Sequence, residues 1–220
     1  MKVSGPHHDA AGGVHRLPVP HGVSGALLAC AFDVVGPDPD AVMVEFAVDT
    51  VVCLVESDEV DRRFPTYAGW LVAAGPDRAV HSPAPDHGVV ADGVAAAVAA
   101  DVVVRLEAGM TVLLHCGGGY GRTGVVAVQA LVALGRGFED SLVAVRAARP
   151  ACGPQSDAQD EQLRRLVGGA GGTGGTGGPG IIGGTGGTGG TGGTGGTGGT
   201  GGTGGTGGTR IHGDTAGAVL

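Results

Sequence analysis

The sequence predicts an α/β domain, a mostly parallel central sheet flanked by helices, followed by a disordered Gly/Thr-rich C-terminal tail. Three observations predict it. Apolar runs of strand length alternate with helix-patterned segments through the first 167 residues. Those runs are continuously apolar, as strands buried on both faces are. From residue 168 onward the chain is almost wholly Gly-Gly-Thr triplets, which bring too little side chain to build a core. Residues 1–167 have the size of one domain, with a flexible start to about residue 13.

The elements follow in order. Residues 14–29 form a short β-region, and Asp38 or Asp40 caps a helix that runs to about Phe46. Residues 50–55 are apolar and β-branched, a fully buried strand. Residues 57–74 carry a charged turn and a helix through Tyr67, Trp70 and Leu71. Val80 leads into the turn-rich stretch Pro83-Ala84-Pro85-Asp86-His87-Gly88. Residues 94–107 are an alanine-rich helix stopped by Gly109, with Asp92-Gly93 at its cap, and residues 111–115 are a strand. Helices are expected over 125–134, 141–148 and 157–167.

The strand at 111–115 delivers His115-Cys116-Gly117-Gly118-Gly119-Tyr120-Gly121-Arg122-Thr123-Gly124. A glycine turn between a strand and a helix aims successive backbone N–H groups and a helix N-terminus at one point, where an anion is stabilised. Such a field also favours thiolate over thiol and makes Cys116 a candidate nucleophile. Arg122 stands six positions on, and its planar fork can hold two oxygens of a phosphoryl group. The Thr123 hydroxyl is placed to donate to the sulfur when it leaves as thiolate.

Two other phosphate-loop patterns compete. A P-loop fails because Cys116 stands where glycine is needed and Arg122 where lysine is needed. The run from Gly119 to Gly124 satisfies Gly-x-Gly-x-x-Gly, yet a dinucleotide fold needs a further strand ending in an acidic residue, and Glu139-Asp140 open a helix instead. A dinucleotide- or phosphate-binding module without turnover stays as the alternative from another class.

The string fills the fixed positions of His-Cys-x-x-Gly-x-Gly-Arg-(Ser/Thr)-Gly, and so resembles the signature of the cysteine-dependent protein tyrosine and dual-specificity phosphatases. Together with the order of 51–56, 67–71, Asp86 and 145–150, it resembles the compact, kinase-associated-phosphatase-like type over about residues 17–167. The resemblance implies a cysteine-phosphatase-like fold and hydrolysis of phosphate monoesters on proteins. The intermediate would be a phosphocysteine on Cys116, with phosphate held by Gly117, Gly118, Gly119, Tyr120, Gly121 and Arg122. The shallow pocket of such enzymes admits phosphoserine and phosphothreonine as well as phosphotyrosine, which leaves the preference open. A phosphoinositide is the alternative substrate, although this loop offers only Arg122 where lipid phosphatases of the superfamily often place lysines.

Loss of an alkoxide or phenoxide is faster with a proton donor. Asp86, 30 residues before Cys116, stands where the resembled family carries its acid, with Asp92 as the fallback. After the first step Asp86 would serve as base toward water. The resemblance implies that Gln159, in preference to Gln155 or Gln162, orients that water, and that His115 helps to hold the loop and tune the thiol. Cys30, Cys53 and Cys152 read as core cysteines; Cys53 is the candidate for a protective disulfide with Cys116. The chemistry asks for no cofactor and no metal, since thiolate, arginine and loop amides supply nucleophile and charge stabilisation.

The net charge of −8 belongs to the domain, because Arg210 cancels Asp214 in the tail, and an acidic domain is a poor partner for nucleic acid. The amino terminus lacks the apolar core of a signal, and no stretch reaches the length of a membrane span. A reactive thiol suits a reducing compartment. The expectation is a monomeric cytoplasmic enzyme acting on phosphorylated protein. The tail's period of three differs from collagen, which has one glycine per triplet and abundant proline.

Overall fold

The computed structural model describes residues 13–170, all within one compact unit, Met1–Thr176; the expected flexible start and most of the expected tail lie outside the described residues. Strands β1 (His15–Leu17) and β2 (Ala26–Ala31) open the chain, followed by the short helix α1 (Phe32–Val35) and by α2 (Pro39–Glu45). The Asp38 side chain caps α2 by accepting from the Ala41 N–H at 2.9 Å. Then come β3 (Thr50–Cys53), α3 (Ser57–Arg63), α4 (Pro65–Arg78), β4 (Ala79–His81), α5 (Asp92–Glu107), β5 (Thr111–Cys116), α6 (Gly121–Ala133), α7 (Phe138–Ala148) and α8 (Asp157–Ala170).

Several boundaries differ from expectation for local reasons. Strand β3 stops at Cys53, and just beyond it Leu54 O accepts from both Ala84 N and Arg122 Nη1 at 3.2 Å. The charged turn expected before Tyr67 is itself helical, and Pro65 starts a second helix, as proline does at a first helical position. Gly75, at φ 73°, then breaks α4 before Pro76. Helix α8 runs on to Ala170, three residues into the segment assigned to the tail.

The sheet order is β1-β2-β5-β3-β4, with β1 antiparallel and the other pairings parallel. Strand β5 is therefore central, buried on both faces as its unbroken apolar run requires. Because side chains alternate along a strand, Val112, Leu114 and Cys116 face the core shared with α5, α6, α7 and α8. Leu113 packs on the other face, against the cluster of Phe32, Met43, Val60 and Tyr67 from α1 to α4, and His115 stacks on Phe32 there.

Candidate functional site

The site is built where the central strand ends. Ala31 of β2 lies beside Cys116, and the chain turns through Gly117 to Tyr120 into α6. Every carbonyl of that turn is held from outside. Gly117 O accepts from Phe32 N at 3.0 Å. Gly118 O and Gly119 O accept from the Arg149 guanidinium at 3.0 and 2.8 Å. Tyr120 O accepts from Gly124 N at 2.7 Å and Gly153 N at 3.2 Å. A trans peptide unit points its C=O and N–H in opposite directions, so carbonyls pinned outward turn the N–H groups into the loop. Helix α6 has no side-chain cap at its N-terminus, which leaves its first amides facing the same space.

Glycine is required here for two physical reasons. Gly119 adopts φ 71°, and a Cβ on it would sit 2.1 Å from Cys30 O. At Gly124 a Cβ would sit 2.1 Å from Gly153 N, so the first turn of α6 could not pack on the loop after α7.

Arg122, with its side chain only 4% exposed, curls back across this loop. A Cβ on Gly117 would lie 3.2 Å from Arg122 Nη2. Its Nη1 donates to Leu54 O at 3.2 Å and Ala84 O at 2.9 Å, and its Nη2 pairs with Asp86 Oδ1 at 2.9 Å. The structure thus brings Asp86 to the loop, on a turn closed by Gly88 N to Pro85 O at 3.0 Å, with His87 at φ 53°. The fallback acid, Asp92, is instead held on α8 by Gln162 at 2.8 Å and by both Nε and Nη2 of Arg165. These bonds lower its pKa to about 2. Nor does Asp92 cap α5: it is the first residue of the helix, after Ala91, and no side chain caps that end.

Thr123 is buried and its hydroxyl has no hydrogen-bond partner, beside the helix start that follows Cys116. Gln159 is 2% exposed and lies against the loop: a Cβ on Gly121 would be 2.8 Å from its Oε1 and 3.1 Å from that of Gln155. Its Nε2 donates to Gly88 O at 3.1 Å, which joins it to the Asp86 turn. Gln162 lies one turn further along α8, on Val90 O at 2.6 Å.

His115 points away from Cys116, since neighbours on a strand face opposite sides. It is fully buried, stacked on Phe32 and hydrogen-bonded between Nε2 and Tyr67 Oη at 2.6 Å. Burial pushes its pKa down to about 3, so the ring is neutral. Cys53 lies opposite His115 in the register of β3 and β5 and shares its face, so the sheet stands between Cys53 and the Cys116 side chain. Cys152 is on the Cys116 side, its Sγ 3.6 Å from Tyr120 O. Burial pushes the Cys53 and Cys152 thiols up to about 12 and Cys30 higher still, so all three keep their protons at neutral pH.

Arg149 is the residue that sequence reasoning missed. It is 1% exposed, holds two loop carbonyls, donates to Gly13 O at 3.0 Å and lies 4.8 Å from the centre of the Tyr120 ring. The signal available was an arginine before Pro150 at the end of a helix, which gives no hint of burial.

A family model described as PTP-SAK, Swiss Army Knife protein, DSP-PTPase phosphatase domain, matches residues 21–177. No curated protein sequence matches the chain. Among solved structures, kinase associated phosphatase, crystallised with its catalytic site cysteine replaced by serine, is 20% identical with a TM-score of 0.61, covering 71% of this chain and 96% of that one. PTPMT1 is 17% identical with a TM-score of 0.56, covering 71% and 94%, and has also been solved in complex with PI(5)P. Human DUSP28 is 17% identical with a TM-score of 0.53, covering 70% and 94%. At these identities the likeness is one of fold.

Proposed function

We propose, since the chain belongs to the PTP-SAK family of DSP-PTPase phosphatase domains, that it hydrolyses phosphate monoesters on proteins through a phosphocysteine on Cys116. The observation that carries this reading is the outward pinning of the loop carbonyls, which leaves a ring of N–H donors around the end of β5 with Arg122 across it. Preorganised donors of this kind stabilise charge that develops on a transferring phosphoryl group.

The Cys116 thiolate attacks phosphorus, the ester P–O bond breaks, and Asp86, entering as the carboxylic acid, gives its proton to the departing oxygen. The amides of Gly117 to Gly121 and the Arg122 fork hold the three equatorial oxygens. Water then attacks the phosphocysteine and passes its proton to the Asp86 carboxylate. The P–S bond breaks, the electron pair returns to sulfur, and inorganic phosphate leaves. Thr123, whose buried hydroxyl has no other partner, donates to that thiolate. Gln159, between Gly121 and Gly88, is placed to orient the water. His115 acts as a neutral support behind the strand. The domain that ends with α8 supplies this chemistry as a monomeric cytoplasmic enzyme, and the Gly-Gly-Thr sequence that follows is a low-complexity appendage.

Protein monoesters are favoured over a phosphoinositide, the class bound by PTPMT1. The loop carries one cation, Arg122, and carboxylates surround it. Glu59 Oε1 would be 3.6 Å from a Cβ on Gly117, and Glu56 accepts from Asp86 N. A polyanionic inositol headgroup on an anionic surface gains little there. Among the described residues no helix is long and apolar enough to cross a membrane.

The test is turnover of phosphotyrosyl and phosphothreonyl peptides beside phosphatidylinositol phosphate in mixed micelles, with Cys116→Ser as control. Peptide turnover that requires Cys116 supports the reading. Turnover of lipid alone would transfer the assignment to the phosphoinositide class, and turnover of neither would leave a binding module.

A further inference from the structure

The turn that carries Asp86 is poorly supported from below. Beside it lies a half-open pocket of about 40 Å³, whose lining includes Val89, Val90, Val98, Arg122, Gln129 and Gln162. Val89 is 38% exposed, and the amide nitrogen of Gln129 has no hydrogen-bond partner. Neither Val89 nor Val90 belongs to either buried apolar cluster, so apolar packing does little to fix this segment. His87, in the left-handed region at φ 53°, adds backbone strain next to the acid.

Up to Asp86 the loop is held by Arg122, on Ala84 O, and by Glu56, on Asp86 N; beyond Asp86 its support comes from α8 and its cap. Ser156 Oγ donates to His87 O at 2.8 Å, Gln159 Nε2 to Gly88 O at 3.1 Å, and Gln162 Nε2 to Val90 O at 2.6 Å. Gln162 also donates to Asp92, and Arg165 holds both oxygens of the same carboxylate. The four side chains stand three residues apart, so they form a stripe that winds about 60° round the helix at each step. Their partners run in the same order along the loop. The stripe is a ladder that fixes the backbone of the segment immediately after Asp86.

We propose that this ladder, with Gln162 as its central rung, positions the acid loop so that Asp86 reaches the leaving oxygen beside Arg122. Gln162 is a positioning residue: it touches the loop backbone and acts through Asp86. The proposal rests on the reading of Asp86 as general acid. Misplacing a reacting group by about 1 Å costs on the order of 100-fold in rate, and a general acid contributes about 100- to 10,000-fold. In the phosphoryl-transfer step that loss appears only where the leaving group needs a proton.

The experiment compares kcat/KM, which reports the steps through formation of the phosphocysteine, on phenyl phosphate, a poor leaving group, and on p-nitrophenyl phosphate, a good one. The proteins are the full-length chain, Gln162→Leu, Asp86→Asn and the double variant, with Gln162→Met as the replacement if the leucine variant does not fold. The expected result is a loss of about tenfold or more on phenyl phosphate and less than about threefold on p-nitrophenyl phosphate. In the Asp86→Asn background the Gln162 change should add less than about twofold on either substrate, because both act through one step. An equal loss on both substrates, or losses that multiply in the double variant, would make Gln162 a general structural residue and overturn the proposal. If the unmodified chain turns over neither substrate, the phosphatase reading fails and takes the positioning role with it. The first failure leaves the phosphatase reading intact, so the two are distinguishable.

Discussion

Replacing Arg149 with methionine should open the loop while leaving the Cys116 and Arg122 side chains in place. Methionine fills much of the same volume but donates nothing. Arg149 gives charge-assisted bonds to Gly118 O and Gly119 O, each worth about 1.5–3 kcal/mol, so about 3–6 kcal/mol of support for the loop is removed. Part of this appears as lower global stability. If the loss leaves the arrangement with N–H groups inward about 2.7 kcal/mol above the open one, its population is about one part in a hundred and the apparent Kd for an anion rises about 100-fold. Lysine, a point charge without the fork, reaches one carbonyl and should give an intermediate value. The assay is competitive inhibition by vanadate with an aryl phosphate as substrate, beside urea unfolding of the same proteins. A lowered urea midpoint with an inhibition constant within about threefold of the parent would refute the reasoning, because it would show a loop that holds its shape without Arg149.

Gly119→Ala should abolish turnover and lower the urea midpoint, since the Cβ would meet Cys30 O at 2.1 Å in backbone already at φ 71°; measurable turnover in the folded variant would contradict this. His115 makes stability depend on pH. Its folded pKa lies near 3 and an unfolded histidine titrates near 6.5, so the folded state resists a proton that the unfolded state accepts. Stability from this group is complete above about pH 6.5 and falls by up to about 1.4 kcal/mol per pH unit down to about pH 3. Urea midpoints of His115→Phe should be flatter than those of the parent over that range, and parallel profiles would contradict the assignment. Asp92, held near 2 by Arg165 and Gln162, has its folded pKa depressed below the ordinary value near 3.9. Its contribution is present above about pH 4 and lost as pH falls toward 2. Asp92→Asn should remove that part of the acid-unfolding profile at low salt, and an unchanged profile would count against the ion pair.

The loop was legible because His115, Cys116, Arg122 and Thr123 stand in register in a segment whose glycines alone would have meant little. The parallel sheet was legible because Val51 to Val55 and Val112 to Leu114 are apolar without alternation, as buried strands are. Asp86 stood out by its Pro-Ala-Pro-Asp turn and its place before Cys116, and the structure pairs it with Arg122 at 2.9 Å. What escaped depends on partners that no local pattern names. Arg149 finds carbonyls 30 and 31 residues away, and a carbonyl leaves no mark in a sequence. Helix α1 was missed because Phe32 to Val35 continues the apolar run of β2 and spans only four residues. Asp92 looked like a helix cap because Asp-Gly preceded an alanine-rich run. The helix begins at Asp92 itself, and Arg165 and Gln162 take the carboxylate. Cys53 looked adjacent to the nucleophile because the strands are neighbours; the register places it with His115, on the opposite face.

The most direct test of the central claim is rapid acid quench of the enzyme during turnover of an aryl phosphate, followed by mass spectrometry of the peptide that contains Cys116. The account predicts a phosphoryl group on Cys116 within the first turnover, absent in Cys116→Ser and accumulating in a variant slowed at the hydrolysis step, such as Gln159→Ala. Steady turnover with no phosphoryl adduct on Cys116, and undiminished by Cys116→Ser, would contradict it.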